Sequence, residues 1–495
     1  MADSEPKQES DMPKDTPNPD VEERPSARGF LDRTISNLRQ AWTGLSGQTR
    51  TLFGAAPRPD LPDEDLEAVV ARMEACAEAT PDEVAVRARA ADLGRTYLTL
   101  DEIGRQRFIA TLAERFDVDR EAVDTAMEAA SGAGDDKARR IAETRLREAL
   151  EPRWRRLLTR FTSLPEGVKF LVDLRAEMLP QARENPAVAE LSADLRQMLA
   201  AWFDVGLLEL RRITWDSPAA LLEKLIAYEA VHEIRSWDDL KNRLEIDRRC
   251  FAYFHPNMPG EPLIFVEVAL VEGMSDSVDA LLDGSAPIAN PDEADSAIFY
   301  SISNAQSGLV GISFGNFLIK RVVELLRTEL PNLKTFATLS PIPGFARWLA
   351  VQADGDEPLL HASELMELRA RLGDNDLDEA SALKQLIANA DWVDDAETAE
   401  VARGPLTRLA ARYLLEARRG DGRARDPVAH FHLSNGARMQ RLNWLGDRSM
   451  KGAQQSAGMM INYLYRLSDI EANGEAYSAE AKIASSSAMR GLVKT

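Results

Sequence analysis

Ala297-Ile-Phe-Tyr-Ser-Ile-Ser303 runs into Gln306-Ser-Gly308-Leu-Val-Gly311-Ile-Ser-Phe-Gly315, and from Asn316 to Leu330 an apolar pattern of helical period takes over. The first seven residues are mostly β-branched, aromatic or small, which suits a buried strand. The glycines punctuate a turn, and the run after them repeats every three to four residues. A strand, a glycine-rich turn and a helix in this order place the C-terminal half among mixed α/β folds. Glycines let backbone N–H groups converge on one point, and a helix N-terminus adds roughly half a positive charge there. The turn therefore suits a phosphate or diphosphate. It lacks the Lys-Ser/Thr ending of a nucleotide P-loop, and its glycines miss the dinucleotide-binding spacing.

Strand-like runs continue on both sides: Arg249 to His255, Leu263 to Val271, Thr335 to Leu339 and Val428 to Leu433. Helical patterns separate several of them, including Phe317 to Leu330 and Asp447 to Leu467. Asp216-Ser-Pro218 opens a further helix, with proline near the first turn where its missing N–H costs nothing. Residues 357–419 are acidic and rich in Ala and Leu, and they read as a helical insertion between two strands. Towards the N-terminus the texture changes. From residue 29 to about 203 the pattern is helical almost throughout, as at Leu66, Val69, Val70 and Met73 or Val168, Leu171, Leu174 and Met178. Thr99-Leu-Asp-Glu102 and Ser163-Leu-Pro-Glu166 are spelled like capping boxes. Residues 1–28, dominated by Asp, Glu, Pro and Ser, read as a disordered acidic tail. The expected architecture is that tail, a helical bundle over 29–203 used for packing or oligomerisation, and a catalytic α/β domain over 204–495.

The 495-residue chain has 44% hydrophobic and 28% charged residues, an ordinary globular balance. Its longest apolar stretch, Pro262 to Val271, carries Glu267 and falls well short of the ~18 residues of a membrane span. A net charge of −21 argues against nucleic acid as a partner. It leaves room for a local basic pocket, since charges more than ~8 Å apart are largely screened. The two cysteines, Cys76 and Cys250, exclude a disulfide scaffold and a Cys-based zinc site. Neither a secretory nor an organellar leader is spelled at the start, so a cytoplasmic setting is expected.

Three segments carry candidate chemistry. Gly311-Ile-Ser313-Phe-Gly315 matches the G-x-S-x-G nucleophile elbow of serine hydrolases, with His430 or His432 as the base. Ala337-Thr-Leu-Ser340-Pro-Ile-Pro-Gly-Phe345 leaves a strand through two prolines that fix φ and remove donors, which would hold Ser340 at a strand end facing a cleft. Asp426-Pro-Val-Ala-His430-Phe-His432-Leu-Ser-Asn435-Gly-Ala437 places two of the five histidines at i and i+2; on a strand they would share a face. A metal would need a third ligand, and no further His or Cys follows at ligand spacing.

Longer strings add to these: Ile213-Thr-Trp-Asp-Ser-Pro218, Glu229-Ala-Val-His232, Arg248-Arg-Cys250, Met258-Pro-Gly-Glu-Pro-Leu263, Phe317-Leu-Ile-Lys-Arg-Val-Val323, Leu339-Ser-Pro-Ile-Pro-Gly-Phe345, Asn435-Gly-Ala-Arg438, Asn443-Trp444 and Asn462-Tyr463. In this order, over most of the chain after about Leu210, they closely resemble the malonyl-CoA decarboxylases. The resemblance implies a GNAT-type acyltransferase fold for the catalytic domain and conversion of malonyl-CoA to acetyl-CoA and carbon dioxide, without cofactor or metal. It puts the family's catalytic serine and histidine on Ser340 and His432 and its site tyrosine on Tyr465. Its CoA-contacting loop falls on Val310, Gly311, Ile312, Ser313, Phe314, Gly315 and Asn316. Ser313 stands where many members carry glutamate. Lys320, Arg321, Arg347, Arg438, Arg441, Arg448 and Lys451 are candidates to offset the ligand's phosphates. Family analogy favours a homo-oligomer through the helical region, a dimer or tetramer, with the homotetramer preferred. The competing readings are a GNAT-type acyltransferase and a hydrolase acting through Ser313.

Overall fold

In the computed structural model the described residues are 56–78, 81–312 and 318–494, together with Leu38 and Trp42. The acidic tail expected over residues 1–28 lies outside them. The N-terminal region is helical: α1 (Asp63–Ala77), α2 (Glu83–Thr99), α3 (Glu102–Arg115), α4 (Arg120–Ser131), α5 (Asp136–Ala149), α6 (Arg153–Phe161), α7 (Gly167–Gln181) and α8 (Pro186–Trp202). Aromatic packing ties these helices together. Phe161 stacks on Phe170 at 4.8 Å between ring centroids, and Trp42 meets Phe170 edge-on at 5.2 Å. The two expected capping boxes are not formed. Thr99 is the last residue of α2, and Asp101 caps α3 by accepting from the Gly104 amide at 2.9 Å. Glu166 precedes α7 in the left-handed region without a side-chain cap.

The C-terminal region is built on one mixed sheet with strand order β1-β2-β3-β4-β5-β8-β6 and β7 beside β8. Its elements are β1 (Glu209–Ile213), α9 (Ala219–Tyr228), α10 (Trp237–Arg243), β2 (Arg248–Phe254), β3 (Ile264–Val271), α11 (Val278–Leu282), β4 (Ser296–Asn304), α12 (Leu318–Glu329), β5 (Thr335–Thr338) and β6 (Ser340–Pro341). There follow α13 (Phe345–Ala353), α14 (Ala362–Leu372), α15 (Glu379–Ala388), α16 (Ala396–Glu416), α17 (Pro427–Ser434), β7 (Arg438–Asn443), α18 (Met450–Ser456), β8 (Met460–Leu464), α19 (Ile470–Glu480) and α20 (Ser487–Leu492). The helices α14 to α16 lie between β6 and β7 in sequence. All the neighbouring strands run antiparallel except β4 and β5. That parallel pair joins only Ser296–Phe299 to Thr335–Thr338. Beyond it β4 continues to Asn304, whereas β6 turns aside to pair with β8. The sheet therefore splays open at the ends of β4 and β5. A register shift between Glu267 and Val268 accompanies the opening, leaving Tyr300 as the extra residue of β4.

Two sequence expectations are corrected here. Val428 to Leu433 is helical, because Asp426 caps the segment by accepting from the Val428 and Ala429 amides at 3.0 Å and Pro427 occupies the first turn. At about 100° per residue, His430 and His432 then point to nearly opposite sides of α17 instead of sharing a face. Asp447 to Leu467 is not one helix. It breaks after α18 at Ala457 and Gly458, both with positive φ, and continues as β8. No helix among the described residues is long and apolar enough to cross a membrane.

Candidate active site

The opening in the sheet leads into a cavity of about 240 Å³. Ile264 and Val266 of β3, Phe299 and Ile302 of β4, Ile319 of α12, and Val428 and Phe431 of α17 give it apolar walls. Ser340 and His432 stand in its lining. Each is placed by local structure. Ser340 opens β6, with one residue between it and the end of β5, where the chain turns from β4 to pair with β8, and Pro341 rigidifies that exit. His432 sits in the last turn of α17, whose N-terminus is fixed by Asp426. The Asp426 carboxylate also accepts from the Gly344 amide and the Tyr413 hydroxyl, both at 3.3 Å, so α17 is tied to α13 and α16.

The polar groups form a chain. His432 Nε2 lies 3.1 Å from Ser340 Oγ, and the Tyr465 hydroxyl lies 2.8 Å from His432 Nδ1. Ser340 Oγ donates to Thr338 Oγ1 at 2.8 Å. Thr338 Oγ1 also accepts from the Tyr463 amide at 3.2 Å. With the serine proton committed to Thr338, Nε2–H must be the donor to Ser340, and Nδ1 accepts from Tyr465. The imidazole is further clamped by Tyr463, whose ring stacks on it at 4.4 Å between centroids. Ser340, His432 and Tyr465 are all buried. Burial pushes the His432 pKa down to about 3, so the ring is neutral in the free protein. The same cause holds the Tyr465 phenol far above its ordinary value.

The structure thus brings together the three side chains expected to be catalytic, although they lie 92 and 33 residues apart. His430 is not among them, because its Nδ1 pairs with the Tyr477 hydroxyl at 2.9 Å. Of the glycine-rich loop, Val310 is exposed, Gly311 has a φ of 80° and Ile312 packs against the core. Ser313, Phe314, Gly315 and Asn316 lie outside the described residues. Helix α12, which follows in sequence, delivers Ile319 to the cavity wall.

Several candidate cations are engaged elsewhere. Lys320 pairs with Glu471 at 2.8 Å and Arg448 with Asp394 at 2.6 Å. Lys451 donates to the Ala230 and Val231 carbonyls at 2.7 and 2.9 Å. Arg441 lies among Asn443, Asn462 and the Met274 carbonyl. Arg438 forks onto Gln440. Arg321 and Arg347 are exposed. The sequence reading missed two arginines from the helical region, Arg175 and Arg196, which reach the loop's carbonyls. It also missed Thr338 and Tyr463. The signal for these two was their place beside Ser340 and Tyr465 on paired strands, visible only once the register is known. Among the described residues no group of three or more His, Cys, Asp or Glu is placed to hold a metal ion.

Comparison with known proteins finds one family along most of the chain. The profile of the malonyl-CoA decarboxylase C-terminal domain matches residues 206–495, and that of the N-terminal domain of the same family matches residues 116–203. The mitochondrial malonyl-CoA decarboxylase of Anser anser anser is 41% identical over 361 residues, covering 71% of each chain. The mitochondrial enzyme of Mus musculus is 41% identical over 364 residues, 71% of this chain and 73% of the relative. The crystal structure of malonyl-CoA decarboxylase from Rhodopseudomonas palustris superposes with a TM-score of 0.78 at 43% identity, over 86% of this chain and 99% of that one. The one from Agrobacterium vitis gives 0.75 at 39% identity, over 86% and 99%.

Proposed function

The chain belongs to the malonyl-CoA decarboxylase family and is a carboxy-lyase acting on malonyl-CoA; from that premise we propose that His432, Ser340 and Tyr465 are its catalytic group and that the loop from Val310 to Asn316 holds coenzyme A. The single observation that carries the proposal is the 3.1 Å approach of His432 Nε2 to Ser340 Oγ in the cavity wall. Acyl transfer and hydrolysis at Ser313, the two alternatives, give way to the family's activity.

Loss of carbon dioxide from the malonyl group leaves the enolate of acetyl-CoA, which must take one proton on carbon. The apolar walls favour this change, since a carboxylate enters and neutral carbon dioxide leaves. His432 is neutral before substrate arrives. The malonyl carboxylate, accepting from a Ser340 hydroxyl that turns away from Thr338 when substrate binds, brings a negative charge beside the ring and favours the imidazolium, so a proton is taken up with the substrate. When carbon dioxide departs, the imidazolium faces the enolate. Burial now makes it a strong acid, and transfer of its Nε2 proton to carbon leaves a neutral ring as the Nδ1–H tautomer, with the Tyr465 oxygen accepting; exchange of one proton with solvent as product leaves returns the resting Nε2–H form. Tyr465 keeps the ring oriented by bonding Nδ1 in both states, since a hydroxyl can donate or accept.

The fold reading proposed with this mechanism is GNAT-type. What supports it is the parallel β4–β5 pair in an otherwise antiparallel sheet, the opening beyond it, and the glycine-rich turn that precedes α12. We assign residues 204–495 to this catalytic domain and residues 29–203 to an oligomerisation domain. The α4–α5 hairpin buries only Val123 and Ala142 and leaves Met127 and Ile141 exposed, which favours a homo-oligomer built through it. Sedimentation of the parent and of a Met127→Glu, Ile141→Glu variant tests that assembly; an unchanged mass in the double variant would reject this face. The mechanism is tested by single-turnover mixing with malonyl-CoA in weak buffer containing a pH indicator. Proton uptake should run ahead of carbon dioxide release. Uptake no earlier than release would overturn the role given to His432.

A further inference from the structure

Thr338 ends β5 and Ser340 opens β6, and the two strands share β8 as a partner, with Ala337 opposite Leu464 and Ser340 opposite Ile461. The Tyr463 amide falls between those pairs and donates to Thr338 Oγ1 at 3.2 Å. The Asn462 side chain donates to the Thr338 carbonyl at 2.8 Å, so the threonine is fixed at both its hydroxyl and its backbone. It is fully buried and does not line the cavity. A β-branched side chain held in this way has little rotamer freedom. Ser340 Oγ has two neighbours able to take its proton, Thr338 Oγ1 at 2.8 Å and His432 Nε2 at 3.1 Å. The choice between them sets the ring. With the serine proton on Thr338, the imidazole carries its hydrogen on Nε2. With that proton on Nε2, the ring hydrogen moves to Nδ1, against Tyr465.

We propose that Thr338 is a positioning residue for the malonyl carboxylate: by drawing the Ser340 proton away from His432 it leaves the ring as an Nε2–H donor, so that the empty site favours malonyl-CoA over acetyl-CoA. The proposal rests on the reading of Ser340 and His432 as the catalytic pair. A carboxylate only accepts, so it is met best by donors. On its arrival the serine exchanges a neutral bond to Thr338 for a bond to a charged group, which is roughly twice as strong. A serine bonded to Nε2 would instead leave that nitrogen as an acceptor facing the carboxylate, and the two would repel until the ring had exchanged its proton. Acetyl-CoA has no carboxylate and is indifferent to the tautomer. Each turnover ends with the hydrogen on Nδ1, and Thr338 favours the return to Nε2–H by taking the serine proton again.

The test reads the tautomer and the discrimination separately. In enzyme carrying isotope-labelled histidine, nitrogen NMR of the ring that disappears in His432→Asn should show Nε2–H at neutral pH without substrate. Thr338→Val keeps the branched shape and removes the acceptor, so the ring should switch to Nδ1–H. KM for malonyl-CoA should then rise at least ~5-fold, as for the loss of about one hydrogen bond, while the Ki of acetyl-CoA as competing product stays within about twofold. The same change strands the Tyr463 amide, but a general loosening of the site would raise KM and Ki together. Thr338→Ser keeps the oxygen and should return the tautomer and both constants to the parent's. An Nδ1–H ring in the parent, an Nε2–H ring retained in Thr338→Val, or equal rises in KM and Ki would overturn the proposal. If the valine variant does not fold, the parent's tautomer decides. Turnover by Ser340→Ala at the parent's rate would instead overturn the reading of the catalytic pair, whatever Thr338 does.

Discussion

Replacing Tyr465 by Phe removes one oxygen and leaves the ring in place. The lost hydroxyl lies 2.8 Å from His432 Nδ1, and both residues are buried at 3% exposure, so water does not readily take its place. An unsatisfied buried polar atom costs about 1–3 kcal/mol. In the resting enzyme the orphan is a neutral ring nitrogen, whereas in the charged state it is an Nδ1–H of an imidazolium, which loses more. The difference therefore falls mainly on the state that protonates the enolate. Converted at about 1.4 kcal/mol per decade, kcat should drop roughly 5- to 150-fold. Tyr465 does not line the cavity, so KM should move by less than about threefold. Steady-state turnover of malonyl-CoA, followed by acetyl-CoA formation, reads both constants. A variant whose kcat stays within twofold, or whose entire loss lies in KM, would refute the role of Tyr465 in orienting and charging the imidazole.

Other perturbations test the supports. Asp426→Ala removes the acceptor that caps α17 and should cost about 1–2 kcal/mol in denaturant unfolding while lowering turnover by misplacing His432, with Asp426→Asn recovering most of both. His432 has its folded pKa depressed to about 3, so the unfolded chain binds a proton that the folded chain refuses between about pH 6.5 and 3. Stability is lost as pH falls through that window, and His432→Asn should remove roughly 2 kcal/mol of the destabilisation between pH 7 and pH 5, measured by urea unfolding at each pH. Arg243 pairs with fully buried Glu267 at 3.1 Å. Arg243→Met should cost about 3–5 kcal/mol by stranding the carboxylate, and adding Glu267→Gln should restore part of it. An additive double variant would contradict that pairing.

Much of this arrangement was legible in the chain. The strands around Arg249, Leu263, Ala297 and Thr335 came from β-branched and aromatic runs and the helix after the glycine-rich turn from its period, because buried strands are apolar throughout and amphipathic helices repeat every three to four residues. The α17 segment did not, since Val428, Phe431 and Leu433 suit either period. The cue that outweighs them is Asp426-Pro427, an N-cap with proline behind it, and it explains why His430 and His432 part company. β8 was hidden inside an apparent helix because the break rests on Ala457 and Gly458 with positive φ, and alanine gives no warning of that. The capping boxes at Thr99 and Ser163 failed because nearby residues, Asp101 above all, ended or began the helices first. The meeting of Ser340, His432 and Tyr465 depends on sheet order and on where α17 packs; Ser340 and the two histidines stood out in their segments, but only the resemblance to a known family picked His432 over His430 and joined it to Ser340 and Tyr465. Arg175 and Arg196 carried no motif. Their link to the loop arises from the packing of one region against another.

The central claim is that the hydroxyl and imidazole in the cavity wall perform the decarboxylation. Single-turnover release of labelled carbon dioxide from malonyl-CoA tests it in Ser340→Ala and His432→Ala, with acetyl-CoA affinity measured alongside. Each variant should release carbon dioxide at least ~100-fold more slowly while binding acetyl-CoA within a few-fold of the parent. Release at close to the parent's rate in both would contradict the account.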